Sequence, residues 1–422
     1  MSSGSTPASN AKVTERTFSP RMWLGCDFVG WLRIMARGRF RFHFSCVHIG
    51  VVTSCVSLGN SVLKLAQNCL HRGHIARTRI EHEPVFILGH WRTGTTLLHE
   101  FMMLDARHNC PNTYQCLDPN HFLLTENLFK RWFQFLLPQH RPMDKMQVGW
   151  DRPQEDEFAM CMLGQPSPYL DLVFPNDPPL FPGSLDLEGL SAWQRREWKR
   201  AFISFLKTLT SKDPRRLVLK SPPHSCRIPT LLELFPNARF VHIVRDPYAV
   251  FPSTVKLWKA LAEKHGVQSP HHQNVEEKVL SQFTHLYERL EEGKKLIGPS
   301  RLHELKYEEL VADPMGQMRL LYDRLEMGGF DELRPRLNEY LMQHSNYERN
   351  QFQLTPAQRE LVTRRWGDVI CRYGYAVQNG SSEGQAPASH ANNVGRTTNS
   401  SVFHSEQPRT ANSAADSVAR VV

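Results

Sequence analysis

The chain of 422 residues contains no Cys-x-x-Cys pair and no Cys/His cluster at zinc-ligating spacing. Its nine cysteines are scattered and odd in number, which argues against a disulfide framework and a structural metal, and for a reducing, cytoplasmic setting. No short apolar core near the start is followed by a small-residue cleavage site, so no cleavable signal is expected. Acidic excess is missing too. Lys and Arg number 51 against 42 Asp and Glu, a formal charge of +9 that suits an anionic ligand. No basic-aromatic module accompanies that charge, so nucleic acid is not an expected partner. Large apolar residues are scarce at both ends, and residues 1–18 and 378–422 are expected to be disordered. Between them the length and the 41% hydrophobic content allow a sizeable core. We expect a helical extension over 19–80 and a catalytic domain over 81–377.

A run apolar on all sides, as a membrane span requires, is also lacking. Phe44–Leu63 comes nearest: it has no Lys, Arg, Asp or Glu and follows Arg37, Arg39 and Arg41. It also contains His48, Thr53, Asn60 and several serines. Val47, Val51, Cys55, Leu58, Val62, Leu65 and Cys69 form one stripe at helical spacing. The pattern predicts an amphipathic helix that packs on the domain or lies on a membrane surface, in preference to a true span.

What is present centres on Pro84–Leu104. Val85–Leu88 is a short apolar run suited to a strand buried on both faces. Gly89-His-Trp-Arg-Thr-Gly94-Thr-Thr96 follows, and then Leu97, Leu98, Phe101, Met102 and Leu104 at helical spacing. Strand, tight loop and helix make a phosphate cradle, in which glycines let the backbone close on an anion and the first helical N–H groups face it. The spacing is that of a Walker A loop, but Thr95 stands where the lysine belongs. An ATPase or kinase needs that lysine on its outer phosphates. Here the positive charge lies inside the loop, at Arg92.

Arg215–Leu261 reads as two further βα units. Leu217–Leu219 is a strand ending at Lys220, and Ile228–Phe235 is a helix. Phe240–Val244 is a strand ending at Arg245, with Asp246 as N-cap and Pro247 at the first helical position. Tandem βα units imply a parallel sheet with ligands at the carboxyl ends of its strands, so Gly89, Lys220 and Arg245 should face one crevice. Asn109–Leu124 reads as a loop over that cleft, a helical pattern resumes near Glu126–Leu137, and the irregular stretch from Arg141 to Pro182 suits a lid or acceptor pocket.

The loop Arg92-Thr93-Gly94-Thr95-Thr96 resembles the 5′-phosphosulfate loop of sulfotransferases. Arg245 and Ser253, eight residues apart at a strand end and on the next helix, resemble the family's 3′-phosphate motif. Leu302–Tyr307, Asp313-Pro314 and Thr355-Pro356 resemble its later elements, so the likeness spans about Pro84–Tyr375 and is nearest to bacterial-type and tyrosylprotein sulfotransferases. It implies a P-loop-like α/β fold, a central parallel sheet flanked by helices, with a helical amino-terminal extension. It also implies in-line transfer of a sulfuryl group from 3′-phosphoadenosine 5′-phosphosulfate (PAPS) to an acceptor hydroxyl or amine. Trp91, Arg92, Thr93, Gly94, Thr95, Thr96, Arg245 and Ser253 would bind the donor. The reacting group carries little charge, so side-chain cations and N–H groups can suffice without a metal. Arg92 is the first candidate for the cation on the leaving group and Lys220 the second.

A base must take the acceptor's proton. Relatives use a histidine shortly after the strand lysine or an acid after the cradle helix. Here Pro222 fills the histidine position, with His224 two residues later, and Gln115 and Asp118 but no glutamate follow the cradle helix. The candidates are Glu155 and His224, with Asp156 and Glu157 as alternatives. The acceptor stays open among glycan, lipid, small phenol and protein. Two rival readings are an ATP-dependent small-molecule kinase and a non-catalytic membrane- or polyanion-binding protein with a vestigial cradle.

Overall fold

The computed structural model describes residues 21–132, 149–344 and 353–378. The expected disordered ends lie outside these residues except for Gln378. In chain order the elements are α1 (Phe28–Arg37), α2 (Val47–Arg77), β1 (Val85–Leu88), α3 (Thr95–Met103), β2 (His108–Asn109), α4 (Thr113–Leu117), α5 (Phe122–Trp132) and α6 (Asp156–Met162). Then come α7 (Ala192–Lys212), β3 (Arg216–Lys220), α8 (Ile228–Leu234), β4 (Arg239–Val244), α9 (Pro247–His265) and α10 (Val275–Lys294). The last are β5 (Leu302–Lys306), α11 (Tyr307–Ala312), α12 (Pro314–Arg324), α13 (Phe330–Gln343) and α14 (Pro356–Arg372).

The five strands form one parallel sheet in the order β2-β3-β1-β4-β5, with β1 at its centre. Val85 pairs with Val218 on one side and Arg239 on the other, which sets the cradle strand between the two strands that end in Lys220 and Val244. Because successive strand residues point to opposite faces, the sheet divides its apolar residues between two layers. Phe86, Leu88, Leu217, Leu219 and Phe240 meet the helices of one face, Phe202, Leu231 and Phe283 among them. Val85, Ile87, Val218, Val241 and Ile243 meet α3, α12 and α13 through Phe101, Leu321 and Leu337. Both faces are covered, as a parallel sheet requires.

The expected caps form. Asp246, Asp313 and Thr355 each accept a backbone N–H, and a proline opens each of the three helices.

Two expectations are corrected. Asn109–Leu124 is not an open loop: Asn112 and Gln115 make a reciprocal capping box that starts α4, and α5 follows from Phe122. The amphipathic helix exists as α2, but its apolar stripe does not pack on the domain. Gly50, Thr53, Ser57, Asn60 and Gln67 are the buried residues, while Val47, Val51, Leu58, Val62 and Leu65 are exposed. The inner contacts are hydrogen bonds, which polar side chains can make and valines cannot.

Candidate active site

The cations singled out from the sequence stand together at the carboxyl ends of the strands. The cradle loop turns on two residues in the left-handed region, Arg92 at φ 71° and Gly94 at φ 96°. A Cβ at Gly94 would lie 2.3 Å from the Tyr307 ring, so both backbone and space demand glycine there. The loop is also pinned from within. Thr93 Oγ1 donates to the His90 carbonyl at 2.7 Å, and Gly89 N donates to Ser225 Oγ at 2.9 Å. Since α3 begins at Thr95, the N–H groups of Thr95 and Thr96 belong to a first turn with no preceding helical carbonyls, a setting that favours an anion.

The second clamp meets the first. Arg92 Nε donates to Ser253 Oγ at 2.8 Å, and Arg245 Nη1 donates to the Arg92 carbonyl at 3.2 Å. The Arg245 guanidinium lies 4.3 Å from the centroid of the Tyr307 ring, the same ring that backs Gly94. Arg92, Arg245 and Ser253 thus form one basic corner.

Lys220 occupies the other corner. It is 2% exposed, and its Nζ lies 2.9 Å from Glu155 Oε1 and 3.4 Å from Thr96 Oγ1. Glu155 Oε2 accepts from the Tyr169 hydroxyl at 2.5 Å, and that hydroxyl accepts from Trp91 Nε1 at 2.7 Å. Burial, and then the Glu155 carboxylate, push the Tyr169 phenol well above its ordinary value, so it remains a donor. Trp91, Tyr169, Trp258 and Phe158 make an aromatic wall here, with Phe158 stacked on Tyr169 at 4.7 Å and Trp91 at 5.5 Å from Trp258.

The acidic run divides its members among three basic partners. Glu155 takes Lys220, Asp156 Oδ2 lies 2.8 Å from His224 Nε2, and Glu157 binds Arg227 through contacts of 2.5 and 3.0 Å. Asp156, Glu157, His224 and Arg227 have no exposed surface. Burial alone would raise the Asp156 carboxyl, but His224 and Ser221 outweigh it and hold the group below its usual value. His224, expected with Glu155 as a candidate base, is enclosed, its ring edge-on to Phe86 at 5.3 Å and to Phe202 at 5.9 Å. Asp156 and Glu157 are spent in the same way on packing. Of the candidate bases, Glu155 alone is brought to Lys220 and the cradle. No spacing in the sequence marks Tyr169, which arrives on a short 3-10 turn, Pro168–Leu172.

A surface hollow lined by Asp186, Arg195, Lys199 and Glu233 shares none of these residues. Among the described residues no three His, Cys, Asp or Glu side chains gather as a metal cage.

Comparison with known proteins gives concordant findings. A family model for the Sulfotransferase family matches residues 84–332. The omega-hydroxy-beta-dihydromenaquinone-9 sulfotransferases Stf3 of Mycobacterium bovis and Mycobacterium tuberculosis are each 46% identical over 360 residues, covering 85% of this chain and 92% of theirs. The crystal structure of sulfotransferase STF9 from Mycobacterium avium has a TM-score of 0.58 at 21% identity, covering 75% of this chain and 83% of that one. Sulfotransferase STF1 from Mycobacterium tuberculosis gives 0.56 at 16% identity, with 81% and 92% covered. The two solved structures share the P-loop-like α/β fold.

Proposed function

The chain belongs to the sulfotransferase family, and from that premise we propose that its acceptor is the terminal hydroxyl of a long apolar lipid. It is an enzyme, a transferase of sulfuryl groups, and membership implies PAPS as the sulfate donor. The kinase and the non-catalytic alternatives are not supported. The lipid reading is supported by the relatives, whose names specify an omega-hydroxy-beta-dihydromenaquinone-9, and by the aromatic wall of Trp91, Tyr169 and Phe158 beside Glu155.

We assign the 5′ end of the donor to Arg92, Thr93, Gly94, Thr95 and Thr96, flanked by Trp91, and the 3′-phosphate to Arg245 and Ser253. The donor set fits: helix-start N–H groups, guanidinium forks and hydroxyls are the groups that hold phosphate oxygens. When bound, PAPS supplies the electrophilic sulfur and a phosphate leaving group. Lys220, beside Thr96, stabilises charge on the leaving oxygen. It takes precedence over Arg92, whose Nε is held by Ser253. Glu155 takes the acceptor's proton, oriented by the hydroxyl of Tyr169. We also expect turnover to be independent of divalent metal, because the sulfuryl group carries less charge than the terminal phosphate of ATP.

One observation carries the assignment of the base and the cation: a carboxylate 2.9 Å from the strand-end lysine, next to the first turn of the cradle helix. The test is transfer of radiolabelled sulfate from PAPS, in EDTA, to a polyisoprenoid alcohol, a phenol and a hexose. The alcohol should be labelled. Glu155→Gln should lower kcat by about 10²- to 10⁴-fold, the usual contribution of a general base, with nucleotide affinity little changed. Labelling of the phenol or hexose alone would refute the lipid acceptor, and wild-type turnover by Glu155→Gln would remove Glu155 as the base.

A further inference from the structure

Phe28–Ile80 contains no Asp or Glu, but seven arginines and one lysine. Within it, α2 is turned inside out. Its buried side is polar: Asn60 Nδ2 donates to the carbonyls of Leu24 at 2.7 Å and Cys26 at 3.0 Å, and Gln67 Nε2 donates to the Asn120 carbonyl at 3.1 Å. The antiparallel α1 adds bonds from Trp31 Nε1 to Ser54 Oγ at 3.0 Å and from Phe28 N to Ser61 Oγ at 2.9 Å. Near the far end, Lys207 Nζ reaches the Ala76 carbonyl at 3.3 Å. Bonds spread along the helix keep α2 flat on the protein. It is long and apolar enough to cross a bilayer, but crossing would strip these groups of their partners.

The outward side carries the stripe, with Val51 58%, Val62 68% and Leu65 65% exposed, and Phe44 at 92% leads into it. Scattered apolar residues on a surface are ordinary, but a continuous row along a helix of 31 residues is not. Exposed Arg39 stands at one end of the row, and exposed Arg72 and Arg77 at the other.

We propose that this face docks on an anionic lipid bilayer, with α2 in the plane of the interface, its stripe among the acyl chains and its terminal arginines on lipid phosphates. Charge decides between a bilayer and a second copy of the chain. Phe28–Ile80 has no carboxylate, Asp27 beside it is taken by Lys64, and Glu81 lies beyond the last arginine, so two copies pairing through the stripe would bring Arg39 towards Arg72 with no acidic residue in the row itself. The inference stands on α2 and does not depend on the acceptor being a lipid. Beneath the face, Gly30 of α1 packs against Gly164, just beyond the carboxyl end of α6, whose N-cap is Glu155.

The test is flotation of the full chain with phosphatidylglycerol-containing vesicles and with pure phosphatidylcholine vesicles, beside its mass in lipid-free buffer. The chain should float with the anionic vesicles and be released by high salt. Val51→Asp with Val62→Asp should lower the bound fraction at least tenfold while leaving the thermal midpoint unchanged, since both side chains already face water. Arg39→Glu with Arg72→Glu should weaken the salt dependence. Transfer to a short, water-soluble alcohol should be equal in the wild type and the Val51/Val62 variant, separating docking from chemistry. No flotation, or equal flotation of the Val51/Val62 variant, would overturn the proposal. A lipid-free dimer that this variant converts to monomer would also do so, and would assign the face to a second copy.

Discussion

Glu155 has its oxygens shared between Lys220 and Tyr169, and the role proposed for it depends on both. Tyr169→Phe deletes one donor and leaves Trp91 Nε1 without its acceptor. Steady-state kinetics should then show kcat reduced about 10-fold, in keeping with loss of a bond to a charged group, while the affinity for 3′-phosphoadenosine 5′-phosphate stays near wild type. Arg245→Ala should do the reverse, weakening that affinity about 10- to 100-fold by calorimetry, the worth of a charge-assisted contact. Arg92, Lys220 and Arg245 were legible in the sequence because the loop and the strand ends set their positions, and Ser253 through the resemblance to the family's 3′-phosphate motif. In the sequence Glu155 is a candidate base together with His224, with its neighbours Asp156 and Glu157 as alternatives. Choosing among them takes burial, which adjacent positions in a chain do not reveal. Tyr169 was hidden because its partners lie 14 residues before it, at Glu155, and 78 before it, at Trp91.

The cradle loop and α2 make opposite demands on glycine. Gly94→Ala forces a Cβ against Tyr307 at a positive φ, and should destabilise by about 1–3 kcal/mol in urea unfolding. Gly59 lies inside α2 with nothing within 4 Å of an added Cβ. Gly59→Ala should therefore stabilise by about 0.5–1 kcal/mol in the same measurement. At this scale β1, β3, β4 and the Asp246 cap could be read, because each rests on local chemistry; β5 and the Asp313 cap came with the family resemblance, and the two-residue β2 was missed. The facing of α2 could not be read. Periodicity defines two sides of a helix but not which of them meets water, and here hydrogen-bonding partners on α1, Leu24, Cys26 and Asn120 settled it.

The whole molecule keeps several imidazoles dry. Burial lowers His90, His99 and His265 each to about 3. In the unfolded chain these groups take a proton near pH 6.5, whereas in the folded protein they do not. Their contribution to stability is thus complete above about pH 6.5 and is lost progressively as the pH falls towards 3. Glu126 adds a second step at lower pH. Burial opposes its ionisation, but Lys130 and Lys212 prevail and hold it at about 2, so its share is lost as the pH falls from about 4.5 towards 2. Urea midpoints should decline steadily from pH 7 to pH 4, and His265→Gln should flatten the decline. An unchanged midpoint between pH 7 and pH 5 would contradict this account.

The two enclosed ion pairs that follow Glu155 have an evolutionary corollary. Asp156 and Glu157 rivet the chain to His224 and Arg227 directly after Glu155, so the backbone that carries the proposed base has anchors of its own. Under the proposed roles, Trp258 is the wall residue to exchange for differently shaped acceptors, whereas Trp91 is tied to Glu155 through the Tyr169 hydroxyl and should not tolerate exchange.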